Sequence, residues 1–190
     1  MPTLYIRIPE DRIGVVIGPG GRTRRDIADR TKTTVTVDAA EGEVEIASPD
    51  TDPMAALVGR DIVQAIGRGF SPPRAFRLLK ENTYLAVLDI KFTSGHRDKA
   101  GLRRIRARVI GTNGKARARI EDLSGCWVSI YGSTVALIGE EEQLERATRA
   151  VEMLLRGSEH ATVFHYLARQ RRDAAAAEAL GLDGGPDAGS

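Results

Sequence analysis

The sequence predicts an α+β fold made of two tandem copies of one β-α-α-β-β-α unit, each a three-stranded antiparallel sheet packed against three helices. Three observations carry that prediction. A Gly-x-x-Gly turn between two helical runs occurs twice, each residue of the first copy standing 93 positions before its partner in the second. Such self-similarity at one spacing marks duplicated structural units. After each turn and its helix come two short runs that alternate apolar and polar residues. Between the copies, Ser71-Pro72-Pro73 breaks any continuous helix.

In chain order, Leu4–Ile8 alternates around Tyr5 and Arg7 and reads as a strand ended by Pro9. Asp11–Ile17 is a short apolar helix stopped by glycines, and Arg22–Thr31 a second helix with Ile27 and Ala28 inward. Thr33–Asp38 and Glu43–Ala47 alternate on either side of Glu41-Gly42 and form a hairpin. Asp52 and Pro53 suit an N-cap and a first helical position, for a helix that runs to Ile66 and loses order at Gly67 and Gly69. This completes a first domain over residues 1–70. A linker over residues 71–82 contains one or two helical turns at Arg74–Lys80.

The second domain is expected over residues 83–172. Tyr84–Phe92 alternates as its first strand, and the loop Thr93–Ala100 leads to a basic helix ending at Ile110. Lys115–Leu123 is the helix after the turn, stopped at Ser124-Gly125. Cys126–Tyr131 and Thr134–Gly139 form a hairpin around Gly132-Ser133, with Trp127 and Tyr131 on what reads as the central strand, there for core packing more than for base stacking. Glu140-Glu141-Glu142 place negative charge at the start of the last helix, where the helix dipole favours it, and Gly157 stops that helix after Arg156. His160–Arg172 is a further amphipathic helix, and residues 173–190 are expected to be a disordered tail with nothing to bury.

The repeated turn points to phosphate chemistry. Val16-Ile17 falls on Val109-Ile110, Gly18 on Gly111, Gly21 on Gly114, Arg22 on Lys115, Arg24 on Arg117 and Ile27 on Ile120. Glycines let the backbone take positive φ and let another backbone approach closely. A helix begins at once, and its first N–H groups lack intrahelical partners and carry partial positive charge. Such a helix start favours an anion. Arg22, Arg24 and Arg25 in one copy, and Lys115, Arg117 and Arg119 in the other, add whole charges where a purely structural helix would carry acids.

Charge is unevenly shared. Residues 1–70 carry 9 basic and 11 acidic side chains, whereas residues 71–190 carry 19 and 15. From Arg97 to Arg119 there are 9 basic residues and only Asp98 opposing them. In isolation such a block is as often a solvated helix face, but around an anion-binding turn it reads as the electrostatic footprint of a nucleic-acid partner. No apolar run is long enough to span a bilayer, and Met1-Pro2-Thr3 does not begin a leader, so a cytoplasmic protein is expected. The single Cys126 agrees with a reducing compartment.

The segments Val16–Ile27 and Val109–Ile120 resemble the Gly-x-x-Gly loops of KH domains, which clamp about four nucleotides of single-stranded nucleic acid. From about Leu4 to Arg172, including Ala75–Phe92 and His160–Arg172, the chain is similar to one narrower family, the archaeal KH proteins related to the eukaryotic small-subunit rRNA processing factor partner of Nob. The resemblance implies two type I KH domains and a non-catalytic protein that binds single-stranded RNA near the 3′ end of the small-subunit rRNA. It also implies work beside a PIN-domain endonuclease that does the cutting. The RNA contacts it implies are Gly18, Pro19, Gly20, Gly21, Arg22, Arg24 and Arg25, then Gly111, Thr112, Asn113, Gly114, Lys115, Arg117 and Arg119. Many KH loops carry Lys or Arg at the two middle positions, and Pro19-Gly20 and Thr112-Asn113 depart from that pattern. Groove candidates are Ile13, Ile17 and Val35 in the first copy and Ile105, Ile110 and Val128 in the second, each equally suited to a core.

Nothing in the sequence argues for catalysis, a cofactor or a metal. His96, His160 and His165 lack metal-ligand spacing, and no nucleophile elbow, Walker loop or zinc-protease motif is present. With 5% aromatic residues the chain lacks the stacking platform of an RRM or OB-fold. Two other functions compete. One is a protein adaptor whose acidic first repeat docks a nuclease or translation factor. The other is a KH subunit of an exosome-like assembly, although such subunits carry an S1-type barrel for which no run of five strands exists here.

Overall fold

The computed structural model describes residues 1–181. The described residues form two α+β units. The first comprises β1 (Thr3–Arg7), α1 (Glu10–Ile17), α2 (Arg22–Thr31), β2 (Thr34–Asp38), β3 (Glu43–Ala47) and α3 (Met54–Gly67). A short α4 (Pro72–Ala75) and a 3-10 turn at Phe76–Leu79 connect it to the second unit. That unit comprises β4 (Thr83–Asp89), α5 (Ile90–Ser94), α6 (Lys99–Ile110), α7 (Lys115–Ser124), β5 (Trp127–Tyr131), β6 (Thr134–Glu140), α8 (Glu141–Leu155) and α9 (His160–Ala179).

Both sheets are three-stranded and antiparallel, with orders β1-β3-β2 and β4-β6-β5. The central strands are therefore β3 and β6. Trp127 and Tyr131 lie on the edge strand β5, which corrects the reading of that strand as central. Hairpin periodicity pairs β5 with β6, but it cannot say that β4 returns to the far side of β6.

Three further expectations change. The strand expected over Tyr84–Phe92 stops at Asp89, whose carboxylate accepts the Phe92 N–H at 2.9 Å and caps α5. At α3 the helix begins at Met54 rather than Pro53, although Asp52 still accepts the Ala55 N–H at 3.2 Å. The tail expected to be disordered from 173 is helical through Ala179. Its alanine-rich turns are largely exposed and extend an already packed helix by propensity, with Asp173 lying 3.7 Å from Arg169 one turn back. The rest of that expected tail, residues 182–190, lies outside the described residues.

Packing explains why the second sheet is so apolar. Its helix-covered face buries Val109, Ile120, Val128, Leu137, Val151 and Leu154, with Val163 and Leu167 of α9 closing the cluster. On its opposite face Ala136 and Ile138 join Phe70, Ala75 and Leu78 in the core of the first unit, with Trp127, Leu85 and Val87 half-buried beside them. β6 is therefore buried at every residue from Thr134 to Gly139, and a strand covered on both faces reads as a continuous apolar run. The first sheet has helices on one face only, leaving Tyr5 61% exposed on the other.

Polar contacts fix how the units meet. Arg12 of α1 donates to the carbonyls of Ile66 and Phe70, both at 2.8 Å, satisfying groups at the end of α3. Its guanidinium also lies 5.7 Å from the ring centroid of Tyr131, whose hydroxyl donates to Asp11. Ser129 donates to the Arg68 carbonyl at 2.8 Å. Trp127 is covered by the guanidinium groups of Arg74 and Arg77, 4.7 and 4.4 Å from its ring centroid.

Candidate nucleic-acid interface

The two Gly-x-x-Gly turns have the same backbone. Gly18 and Gly111 adopt φ/ψ of 71°/172° and 74°/173°. The third positions follow at 56°/25° for Gly20 and 53°/30° for Asn113, and the fourth at 76°/15° for Gly21 and 74°/11° for Gly114. Three of the four residues thus sit at positive φ, and Asn113 fills one such place because asparagine tolerates the left-handed region better than most residues. Gly21 and Gly114 close each turn by donating to Gly18 O at 3.1 Å and Gly111 O at 3.2 Å. The first glycine is also sterically required, since a Cβ on Gly18 would fall 2.2 Å from Thr23 Oγ1, and one on Gly111 2.6 Å from Ala116 Cβ.

Immediately after each turn, α2 and α7 start without a side-chain cap and without an acidic residue in the first turn. The same chain caps other helices with acids. Asp98 accepts the Gly101 N–H at 2.8 Å to cap α6, which lowers its carboxyl pKa, and Glu140 and Gln143 form a capping box at α8. The two starts behind the turns therefore keep their partial positive charge uncompensated.

The surrounding cations differ between repeats. In the first, Arg22 pairs loosely with Asp26 at 3.9 Å, Arg24 donates to the Val35 carbonyl at 3.1 Å, and Arg12 is held by α3; Arg25 remains beside Gly21. In the second, Lys115 and Arg119 lie one turn apart on one side of α7, whereas Arg117 points to the other, towards Val128. The three residues that the sequence groups as one basic patch thus face two ways.

Of the six aliphatic groove candidates, Ile13, Val35, Ile105 and Val128 are core residues, none more than 6% exposed. Ile17 and Ile110 are half-buried beside their turns and offer open surface. In the second repeat, Val128 also borders a cavity of about 360 Å³ with Arg117, Ser129, Ser71 and Arg74. One wall of this cleft thus comes from the junction between the units. Glu121 holds its edge, accepting the Val128 N–H at 2.9 Å and lying 3.7 Å from Arg74.

Arg74 and Glu121 escape the sequence reading. The repeat does carry a trace of Glu121, an acid standing where the first copy has Ala28. Arg74 leaves no such trace, because its position depends on how the two units dock. His160 makes a hydrogen bond of 2.7 Å with the Arg108 carbonyl. Among the described residues, no three His, Cys, Asp or Glu side chains gather as metal ligands, and no helix is long and apolar enough to cross a membrane.

Comparison with known proteins agrees with this geometry. The family model for the second KH domain of PNO1, described as the eukaryotic type KH-domain (KH-domain type I), matches residues 84–172, and the general KH domain model matches residues 3–57. A KH domain-containing protein of Methanocaldococcus jannaschii is 43% identical over 169 residues, covering 88% of this chain and 73% of its own. The pre-rRNA-processing protein PNO1 of Chaetomium thermophilum is 27% identical over 144 residues, covering 74% of this chain and 56% of its own. Among solved structures, aDim2p of Pyrococcus horikoshii, crystallised with a/eIF2alpha and rRNA, superposes with a TM-score of 0.84 at 48% identity, over 90% of this chain and 94% of that one. With its two matching loops in two such units, this chain belongs to the tandem KH family of archaeal proteins related to Dim2p and the eukaryotic pre-rRNA-processing protein PNO1.

Proposed function

We propose that this protein is a non-catalytic clamp for single-stranded RNA in small ribosomal subunit assembly, acting at the 3′ region of the small-subunit rRNA. The observation that carries the reading is the pair of matching turns that open onto uncapped, basic helix starts. That arrangement presents backbone N–H groups, the positive helix end and cations together, and a phosphate offsets all three. The relatives add the RNA class, since one is a pre-rRNA-processing protein and another was crystallised with rRNA.

The second repeat is the principal clamp. Gly111, Thr112, Asn113 and Gly114 track the phosphates, Lys115, Arg117 and Arg119 neutralise them, and Ile110 meets a base. In the first repeat Arg24 already has an internal partner, the Val35 carbonyl. This favours a second role for the first repeat, docking a protein such as a PIN-domain endonuclease or a translation factor. A solved relative that contains a/eIF2alpha is in keeping with that role.

The chain holds and presents RNA, and a partner cuts it. Purified protein incubated with labelled RNA from the small-subunit 3′ region and a divalent metal is expected to bind the RNA and leave it uncut. Failure to bind any such RNA would overturn the clamp. Cleavage that survives purification and disappears with a point substitution in this chain would overturn its non-catalytic nature.

A further inference from the structure

Beside the second turn, among α6, α7 and α9, lies an open cavity of about 710 Å³. Three helices each give it a pair of residues one turn apart. Arg104 and Arg108 come from α6, Lys115 and Arg119 from α7, and His160 and Phe164 from α9. Ala107 and Ala116 complete the lining between them.

The walls are held in place. Arg108 donates to the Ser158 carbonyl at 2.6 Å while its own carbonyl meets His160, which fixes the start of α9 against α6. The rings of His160 and Phe164 lie 5.9 Å apart, tilted by 48°. Among the described residues Arg104, Arg108 and Lys115 form no salt bridge, and Arg119 has a loose one with Asp122 at 3.7 Å.

The first repeat supplies an internal control. The residues 93 positions before Arg104, Arg108, Lys115 and Arg119 are Asp11, Val15, Arg22 and Asp26. Only one of the four is basic. The first unit also has no counterpart of α9, since α3 is followed by α4 and the junction. The same fold therefore forms without this cavity's charge and without its rings.

An open, largely apolar hollow that carries two rings and is bordered by the exposed cations Arg104, Lys115 and Arg119 suits a flat aromatic group that carries phosphate. A bare anion would leave the apolar lining unused, and an apolar chain would leave the cations unpaired. The cavity also adjoins Gly111 and Thr112 of the turn itself. We propose that it is a nucleobase pocket of the second repeat. The RNA strand held by the turn passes over Thr112 and tucks one base behind it against Phe164, with the adjoining phosphate among Arg104, Lys115 and Arg119. This rests on the RNA-clamp reading.

The test uses the full chain and an eight-nucleotide fragment of the small-subunit rRNA 3′ end, intact and with each nucleotide in turn made abasic. Ala107 is exposed on α6, so Ala107→Trp fills the cavity without entering the core. It is expected to weaken the intact fragment roughly fivefold or more, the scale of one base stacked on an aromatic ring. In the wild type one abasic position should cause a similar loss, and that loss should vanish in Ala107→Trp. Binding of the intact fragment by Ala107→Trp within about twofold of wild type would overturn the pocket, as would a weakened variant that keeps every abasic effect. Free adenosine monophosphate that binds this cavity as tightly as the fragment does would overturn its assignment to a base of the strand. Gly114→Asp separates the two ideas, because it tests the clamp and leaves the cavity intact. Undiminished RNA binding by that variant overturns the clamp whatever Ala107→Trp does.

Discussion

Gly111 and Gly114 both sit at positive φ, yet a side chain meets different surroundings at each. A Cβ on Gly111 would overlap Ala116, whereas one on Gly114 meets nothing within 4 Å. Gly111→Ala is therefore expected to lower unfolding stability by about 2–3 kcal/mol from backbone strain and overlap together, read by urea denaturation. Gly114→Asp carries only the left-handed backbone cost of about 1–2 kcal/mol. It should stay folded and lose at least about tenfold in RNA affinity, since it sets a carboxylate at the proposed anion site. A folded Gly114→Asp that binds RNA like the wild type would remove the loop from the clamp.

Cys126 is legible at the same scale. Burial raises its thiol pKa from 9.0 to about 11, so at neutral pH it is protonated and inert. Because the folded value lies above the unfolded one, the associated stability is complete below pH 9 and is lost as the pH rises through about 11. Iodoacetamide at pH 8 is expected to label Cys126 only on a par with global unfolding. Rapid labelling of the native protein would contradict this burial.

At the scale of elements, the sequence shows most of what repeats and less of what docks. Both turns, both hairpins and the basic α6 and α7 follow from periodicity, stop signals and charge, because each is a local property. The order β4-β6-β5 is not local, which is why Trp127 and Tyr131 were expected on a central strand and stand on an edge. The end of β4 turns on one carboxylate, Asp89, whose cap on α5 outweighs the apolar character of Ile90 and Phe92. The cleft beside Val128 was only half legible, since Arg117 belongs to the repeat while Arg74 and Ser71 arrive from the junction. Phe70, 1% exposed in the core shared by both units, makes that docking testable. Phe70→Ala is expected to cost about 3–5 kcal/mol and to lower one cooperative transition seen by probes in both units. Loss of the first unit alone, with the second unchanged, would show that the shared core does not couple them.

For the whole molecule, the two copies of the loop stand in unequal charge. Asp11 and Arg12 of the first repeat contact Tyr131 and the end of α3, so part of its charge holds the units together. Around the second loop, the stretch from Arg97 to Arg119 has 9 cations and one acid. The most direct test is the salt dependence of binding to one RNA from the small-subunit 3′ region. If the second repeat neutralises about five phosphates, log K falls against log salt with a slope of roughly −3.5, or about a hundredfold between 50 and 200 mM. Replacing Lys115, Arg117 and Arg119 together with glutamine is expected to remove about two units of that slope. Replacing Arg22, Arg24 and Arg25 should remove less than about one. A first-repeat variant that loses the larger share of the slope would contradict the account and make the first loop the principal clamp.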